Sequence, residues 1–113
     1  MQVEIESRNV KLDPQVRGWI ERRLHHALER FGPRLSLVRV GLENVYGPRG
    51  GPDVRCRLCA RLARAGPPVV EAVESDAALA VSRALDRLVR ALRNRIRRRR
   101  DLPRRMRGWG TTA

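Results

Sequence analysis

Aromatic residues are scarce in this sequence: Trp19, Phe31, Tyr46 and Trp109 make up 4% of its 113 residues. They are widely spaced, which disfavours a platform on which successive bases of a single nucleic-acid strand would stack. With so few rings, the core must be built from Leu, Val, Ile and Ala. Hydrophobic residues still make up 42% of the chain, which argues against general disorder. The length allows one domain with one core.

Long hydrophobic runs and cysteines are also nearly absent. No apolar stretch approaches the length that crosses a membrane, so we expect no membrane partner. The opening segment MQVEIESRNV carries acids from the fourth residue and lacks the apolar segment of a signal peptide. Two cysteines cannot make a disulfide framework. Together these features predict a cytoplasmic protein.

The familiar catalytic motifs are missing as well. The chain has no phosphate-binding loop, no G-x-S-x-G and no H-E-x-x-H, and its acids are scattered singly along strands and helix faces. A nucleophile, a base and an orienting group cannot be assembled from these residues. We therefore expect no enzyme, no cofactor and no small-molecule substrate.

Two weak signals for a metal or redox site remain. Cys56 and Cys59 form a C-x-x-C pair, but residues three apart in a strand point to opposite faces. We expect a core Cys56 and an incidental Cys59, with a metal- or redox-responsive regulator as the alternative. His25 and His26 are adjacent on a predicted helix, about 100° apart, whereas metal-binding pairs on helices are four residues apart. No metal site is predicted.

Positive charge dominates what is present. The chain has 25 Lys and Arg against 12 Asp and Glu, a net charge of +13, and Lys11 is its only lysine. Residues 83–107 hold twelve arginines and two acids, so most of the excess lies near the C-terminal end. Such a field is self-repelling unless a polyanion compensates it. A guanidinium group matches two phosphate oxygens, so phosphate-rich nucleic acid is the predicted partner, and folded RNA fits best.

Hydrophobic periodicity predicts the first two elements. MQVEIES alternates apolar and acidic residues, which is typical of a half-buried strand near a sheet edge. Asp13 is a good N-cap for a helix with Pro14 in its first turn. An apolar stripe with three- and four-residue steps then runs to Phe31, after which Gly32 and Pro33 end the helix.

Three strands and a second helix follow. The strands are predicted at 35–45, 54–64 and 69–75, and their short connections favour an antiparallel meander. The segment VRCRLCARLAR places its arginines on one face, which would be the solvated side of the sheet. The last helix is predicted over 76–100, with Ser75 as its cap.

The end of this helix carries the most basic segment, RNRIRRRR at 93–100. Ile96 lies four residues after Leu92 and continues the apolar stripe, so the segment is predicted to be helical to at least Ile96, with its arginines exposed. The periodicity stops beyond residue 100, which predicts a domain over 1–100 and a basic disordered tail over 101–113. The candidate RNA-binding residues are the helix arginines Arg17, Arg22, Arg23, Arg83, Arg87, Arg90, Arg93, Arg97 and Arg98.

The fold class follows from the two apolar stripes. Each predicted helix has one stripe, and the strands need one covered face. The economical arrangement is an α+β two-layer sandwich of order β-α-β-β-β-α, with both helices on one face of a four-stranded sheet.

From Met1 to about Arg100, the sequence resembles the ribosome hibernation-promoting factors, also called ribosome-associated inhibitor proteins. The resemblance begins with MQVEIESRNVKLDPQVR, IERRL and LERF. It continues with the acidic start of the last helix at Asp76 and with LDRLVRAL, where Arg87 and Arg90 stand at the family's basic positions. The order and spacing of these segments carry the resemblance. The chain departs from the family in lacking an aromatic residue in DAALA, and it matches the short form.

The resemblance implies a fold like that of double-stranded RNA-binding domains. It also implies binding to the small ribosomal subunit and its ribosomal RNA, in the channel for messenger and transfer RNA. Occupancy there would inactivate translation in stationary phase or stress, with basic residues of both helices making the contacts. The alternative from charge alone is a general RNA- or DNA-binding module without a ribosomal address.

Overall fold

The computed structural model describes residues 1–46 and 51–101, and the side chains of all of these except 52 and 99–101. Its elements are β1 (Gln2–Arg8), α1 (Pro14–Leu28), a 3₁₀ segment (Glu29–Arg34), β2 (Leu35–Tyr46), β3 (Pro52–Leu62), β4 (Val69–Glu74) and α2 (Ala77–Asp101). The predicted order β-α-β-β-β-α is confirmed.

The four strands form one mixed sheet in the order β1-β2-β3-β4. β1 lies at an edge, as predicted, and pairs with β2 in parallel, so that Val3 is opposite Val38. β2, β3 and β4 form the predicted antiparallel meander, in which Leu58 lies between Val40 and Val70. A parallel pair needs a crossover connection, and α1 supplies it.

Alternation along β3 separates the two faces of the sheet. Cys56, Leu58 and Ala60 are fully buried, whereas Arg57 and Arg61 are exposed on the opposite face. The buried strand residues form one hydrophobic cluster with the apolar stripes of α1 and α2. Both helices therefore cover the same face, which leaves the arginine face of the sheet open, as the sequence predicted.

The first helix begins as predicted but ends early. Asp13 Oδ1 accepts a hydrogen bond from a backbone N–H of the first turn at 2.8 Å. The α-helix ends at Leu28, so the prediction that it runs to Phe31 and is ended by Gly32 and Pro33 was wrong. The chain tightens into the 3₁₀ segment, where Gly32 has a φ of 57°, a left-handed conformation that glycine adopts without steric cost. Phe31 stays in the core although it no longer belongs to the α-helix.

The second helix is capped by Asp76 and not by Ser75. Asp76 Oδ1 accepts a hydrogen bond from the backbone N–H of Leu79 at 2.8 Å, and its charge suits the positive end of the helix dipole. Ile96 is half-buried against the core cluster, so the prediction that RNRIRRRR begins as ordered helix is confirmed. α2 ends at Asp101, and residues 102–113 of the predicted tail lie outside the described residues. The stripe that docks α2 consists of Val81, Leu85, Leu88 and Leu92, each at most 1% exposed.

The cysteine pair behaves as its strand spacing predicted. Cys56 is fully buried, and burial raises the pKa of its thiol from 9.0 to about 12. Cys59 is half-buried on the open face of the sheet. The two thiols cannot meet on one ion or form a disulfide with each other without unfolding the strand.

Shortening Leu88 tests the packing of α2. Leu88→Ala removes a fully buried side chain between helix and sheet, and we expect the free energy of unfolding to fall by about 2–5 kcal/mol. Asn94→Ala, on the exposed side of the same helix, is the matched control and should change it by less than about 0.5 kcal/mol. Urea denaturation followed by circular dichroism measures both. Equal effects would contradict the docking of α2 described above.

The raised pKa of Cys56 predicts a difference in reactivity between the two thiols. Alkylating reagents attack the thiolate, which Cys56 does not form at neutral or mildly alkaline pH in the folded state. We expect brief alkylation to modify only Cys59, and denaturation to release Cys56 for modification, as measured by mass spectrometry of peptides. The Cys59→Ser variant should show no rapid modification while folded. Rapid labelling of Cys56 in the native protein would overturn the assignment.

Candidate nucleic-acid interface

An open groove of about 660 Å³ runs between the two helices on the outer side of the helix layer. α1 and the turn that follows it form one wall, and α2 forms the other. The groove is lined by Arg23, His26, Ala27, Glu29, Arg30, Leu85, Asp86, Val89, Arg90 and Arg93. Positive side chains outnumber acids there, and the apolar residues form its floor.

Helical spacing explains how α2 builds its wall. Asp86, Arg90 and Arg93 are four and three residues apart, so they project from one face of the helix. Leu85 and Val89, one residue earlier in each turn, lie closer to the core and contribute to the floor. The docking of α2 on the sheet therefore fixes the direction in which Arg90 and Arg93 point.

The opposite wall, formed by α1 and the 3₁₀ segment, also presents its side chains at intervals of about one helical turn. Arg23 and Ala27 lie one turn apart on α1, and Arg30 follows in the 3₁₀ segment. The guanidinium carbon of Arg30 lies 5.6 Å from the centroid of the Phe31 ring, a cation–π contact that restrains its direction. Because Phe31 is itself buried, the core positions this arginine at the rim of the groove.

The remaining candidate arginines of α2 extend the positive surface beyond the groove. At about 100° per residue, the α2 candidates span an arc of about 140° opposite the buried stripe. Arg83, Arg97 and Arg98 are exposed on this arc. Arg87 is also exposed, but its Nη1 donates a hydrogen bond to the backbone carbonyl of Glu71, which ties α2 to β4.

Two candidates on α1 do not line the groove. Arg17 and Arg22 are exposed, but neither belongs to the groove wall. The Arg22 guanidinium lies beside Gly18, where an added Cβ would come within 3.1 Å of Nη1. The structure thus brings Arg23, Arg90 and Arg93 together and places the other candidates around them.

The predicted set omitted two basic residues of the groove, Arg30 and His26. The signal that could have found them is their spacing from Arg23, since His26 lies three and Arg30 seven residues further along the chain. That signal is ambiguous in sequence, because the α-helix ends before Arg30 and the 3₁₀ segment changes the direction of the chain.

On the open face of the sheet, unlike in the helix layer, several arginines form ion pairs with glutamates. Cross-strand neighbours there form ion pairs: Arg39 Nε lies 3.0 Å from Glu4, Arg55 Nη1 lies 3.1 Å from Glu43, and Arg57 Nε lies 3.0 Å from Glu71. Among the helix arginines whose side chains the structure describes, none forms an ion pair. Unmatched positive charge is therefore concentrated on the helix side.

Other kinds of site find little support in the described residues. Within 1–46 and 51–101, no three His, Cys, Asp or Glu side chains are grouped so that they could hold a metal ion. No helix in these ranges is long and apolar enough to cross a membrane.

The chain is similar to known proteins in both sequence and structure. Residues 3–100 match the family described as Sigma 54 modulation protein / S30EA ribosomal protein. The N-terminal domain of Protein Y from Thermus thermophilus superposes with a TM-score of 0.66 at 22% identity, covering 83% of this chain and 98% of that chain. A ribosomal subunit interface protein from Coxiella burnetii gives a TM-score of 0.65 at 16% identity, covering 83% and 96%. A search of curated proteins finds no match.

At these identities the two structures establish the fold, and the family match covers most of the chain. The match also agrees with the order of segments that carried the resemblance in the sequence. The chain belongs to the Sigma 54 modulation protein / S30EA ribosomal protein family, which includes the ribosome hibernation-promoting factors.

Proposed function

We propose that this protein is a cytoplasmic, non-enzymatic ribosome hibernation factor. It binds the small ribosomal subunit in the channel for messenger and transfer RNA and inactivates translation during stress or stationary phase. Its ligand there is ribosomal RNA, which the arginines of the helix layer contact through phosphate groups.

One observation carries this proposal: among the described side chains, most of the arginines without an ion pair lie on the helix side of the domain. The sheet face also holds arginines, but Glu4, Glu43 and Glu71 neutralise three of them. A solvated surface that merely kept the protein soluble would not require such sorting. A polyanion on the helix side would relieve the repulsion between neighbouring guanidinium groups.

The chemistry of the helix surface favours folded RNA. Guanidinium groups hydrogen-bond phosphate oxygens in pairs, and these bonds are stronger than bonds between neutral groups. The arginines stand on two rigid helices, so their spacing can match phosphates held in a fixed arrangement. We assign the RNA contact to the nine predicted arginines and add Arg30, which shares the groove.

A general nucleic-acid binder would use the same charges without a defined site. Co-sedimentation with small subunits, large subunits and intact ribosomes, in the presence of excess transfer RNA, separates the two possibilities. The proposal expects saturable one-to-one binding to small subunits and intact ribosomes. Superstoichiometric binding to every fraction that transfer RNA removes would instead indicate a general binder.

Neutralising two groove arginines tests whether the RNA binds the helix side of the domain and not the sheet face. The double variant Arg23→Gln and Arg90→Gln should weaken binding to small subunits about tenfold or more, because it removes two charge-assisted contacts. The matched control, Arg39→Gln with Arg57→Gln, removes the same charge from the ion-paired sheet face and should change affinity less than threefold, about 0.6 kcal/mol. Equal losses in both variants would show that net charge alone drives binding.

Salt dependence measures the number of phosphates contacted. If six to ten phosphates are neutralised, affinity should fall by about a thousandfold or more between about 50 and 200 mM salt. The Arg23→Gln and Arg90→Gln variant should lower the slope of log affinity against log salt by about two, one for each lost contact. Affinity for small subunits measured by sedimentation across a salt series gives both values. A slope unaffected by the two substitutions would remove these residues from the phosphate contact.

A further inference from the structure

The groove contains two carboxylates that phosphate binding does not explain. Asp86 and Glu29 lie in its walls among four arginines, and a phosphate placed beside either would be repelled. Asp86 precedes Arg90 by one helical turn, the spacing and order in which an acid and a base pair well on a helix. Within the described residues, however, Asp86 forms no ion pair.

Because of this arrangement, different parts of the groove favour different chemical groups of a ligand. The arginines at the rim attract phosphate oxygens. The carboxylates accept hydrogen bonds and cannot donate them while ionised, so they select a ligand group rich in N–H donors. The floor of Ala27, Leu85 and Val89 is apolar and can hold a flat ring. Its volume of about 660 Å³ falls within the range of about 300–1,000 Å³ usual for small ligands.

A nucleotide extruded from an RNA loop has both kinds of group, since its base carries ring N–H and amino donors and its flanking phosphates carry the charge. The four bases differ in what they offer a carboxylate. Guanine presents a ring N–H and an amino group side by side, which matches the two oxygens of one carboxylate. Adenine and cytosine place an acceptor nitrogen beside the amino group, and uracil has one N–H between two carbonyls.

We propose that the interhelical groove binds one unpaired guanine of the RNA, and that Asp86 is the residue that specifies it. This inference rests on the proposed function, since it concerns the same groove and an RNA ligand. Asp86 is chosen over Glu29 because it stands on the long α2 helix beside the floor residues Leu85 and Val89. Glu29 lies in the 3₁₀ segment beyond the end of α1.

Short oligonucleotides test the base preference without requiring a ribosome. The probes are uridine oligomers carrying one central guanosine, or inosine, which lacks the amino group of guanine, and binding is followed by fluorescence anisotropy. The wild-type protein should prefer guanosine to inosine by about fivefold or more, since one lost hydrogen bond to a charged group costs that much. Equal affinity for the two oligomers would overturn the inference.

Three single variants assign the preference to a residue. Asp86→Asn should abolish the guanosine preference while leaving affinity for the all-uridine oligomer unchanged or higher, because a negative charge leaves a basic groove. Glu21→Gln, an exposed acid of α1 outside the groove, removes the same charge and should keep the preference. Loss of the preference in Glu29→Gln but not in Asp86→Asn would contradict the role given to Asp86.

Chemical probing of small subunits separates this inference from the proposed function. Kethoxal reacts with the ring N–H and amino group of unpaired guanines, the two donors that Asp86 would occupy. If the protein co-sediments with small subunits, one guanine should be protected by the wild type and exposed with Asp86→Asn still bound. Binding without such protection would overturn the guanine site alone, whereas failure to co-sediment would overturn the proposed function and leave the oligonucleotide result to decide the inference.

Discussion

The docking of the apolar stripe of α2 on the sheet decides where the charge of this protein lies. Burial of four large side chains from one helix face removes several hundred square ångströms of apolar surface from water, on the order of several kcal/mol of stabilisation. That contact fixes the rotation of a helix whose exposed side chains are mostly arginines. The arginines are thereby held on the side away from the sheet, and their mutual repulsion is a cost that the core contacts offset.

The two faces of the domain handle positive charge differently because their geometries differ. On the sheet, side chains of neighbouring strands stand close together, so a glutamate on one strand can neutralise an arginine on the next. On α2 the exposed arc consists mainly of arginines, and among the described side chains Asp86 is the acid that lies between them. An incoming RNA would meet fewer arginines on the sheet face, three of them already paired with glutamates, whereas the helix surface would offer many arginines without an ion pair.

Much of the fold could be predicted because periodicity reports burial directly. Ile96 was enough to extend α2 into the arginine run, and alternation in VRCRLCARLAR was enough to separate Cys56 from Cys59. The end of α1 was missed because the stripe continues to Phe31 through a 3₁₀ turn, which buries the same residue by a different backbone path. The ion pairs of the sheet depend on strand register, and the groove depends on how two helices lie side by side, neither of which a single segment encodes.

The same limit explains why the sequence alone does not distinguish the acids of the groove from other surface acids. Read along the chain, Asp86 is an acid between two basic residues of a helix, and solvated charge is the default interpretation. Read across the groove, it stands in a strongly positive concave surface where a neutral residue would bind phosphate better. An acid that weakens the attraction for phosphate at the centre of a basic surface is useful to the protein only if something other than phosphate is bound there. The placement of one acid within a basic groove, and not the abundance of arginine, would then give a charge-driven interface its specificity.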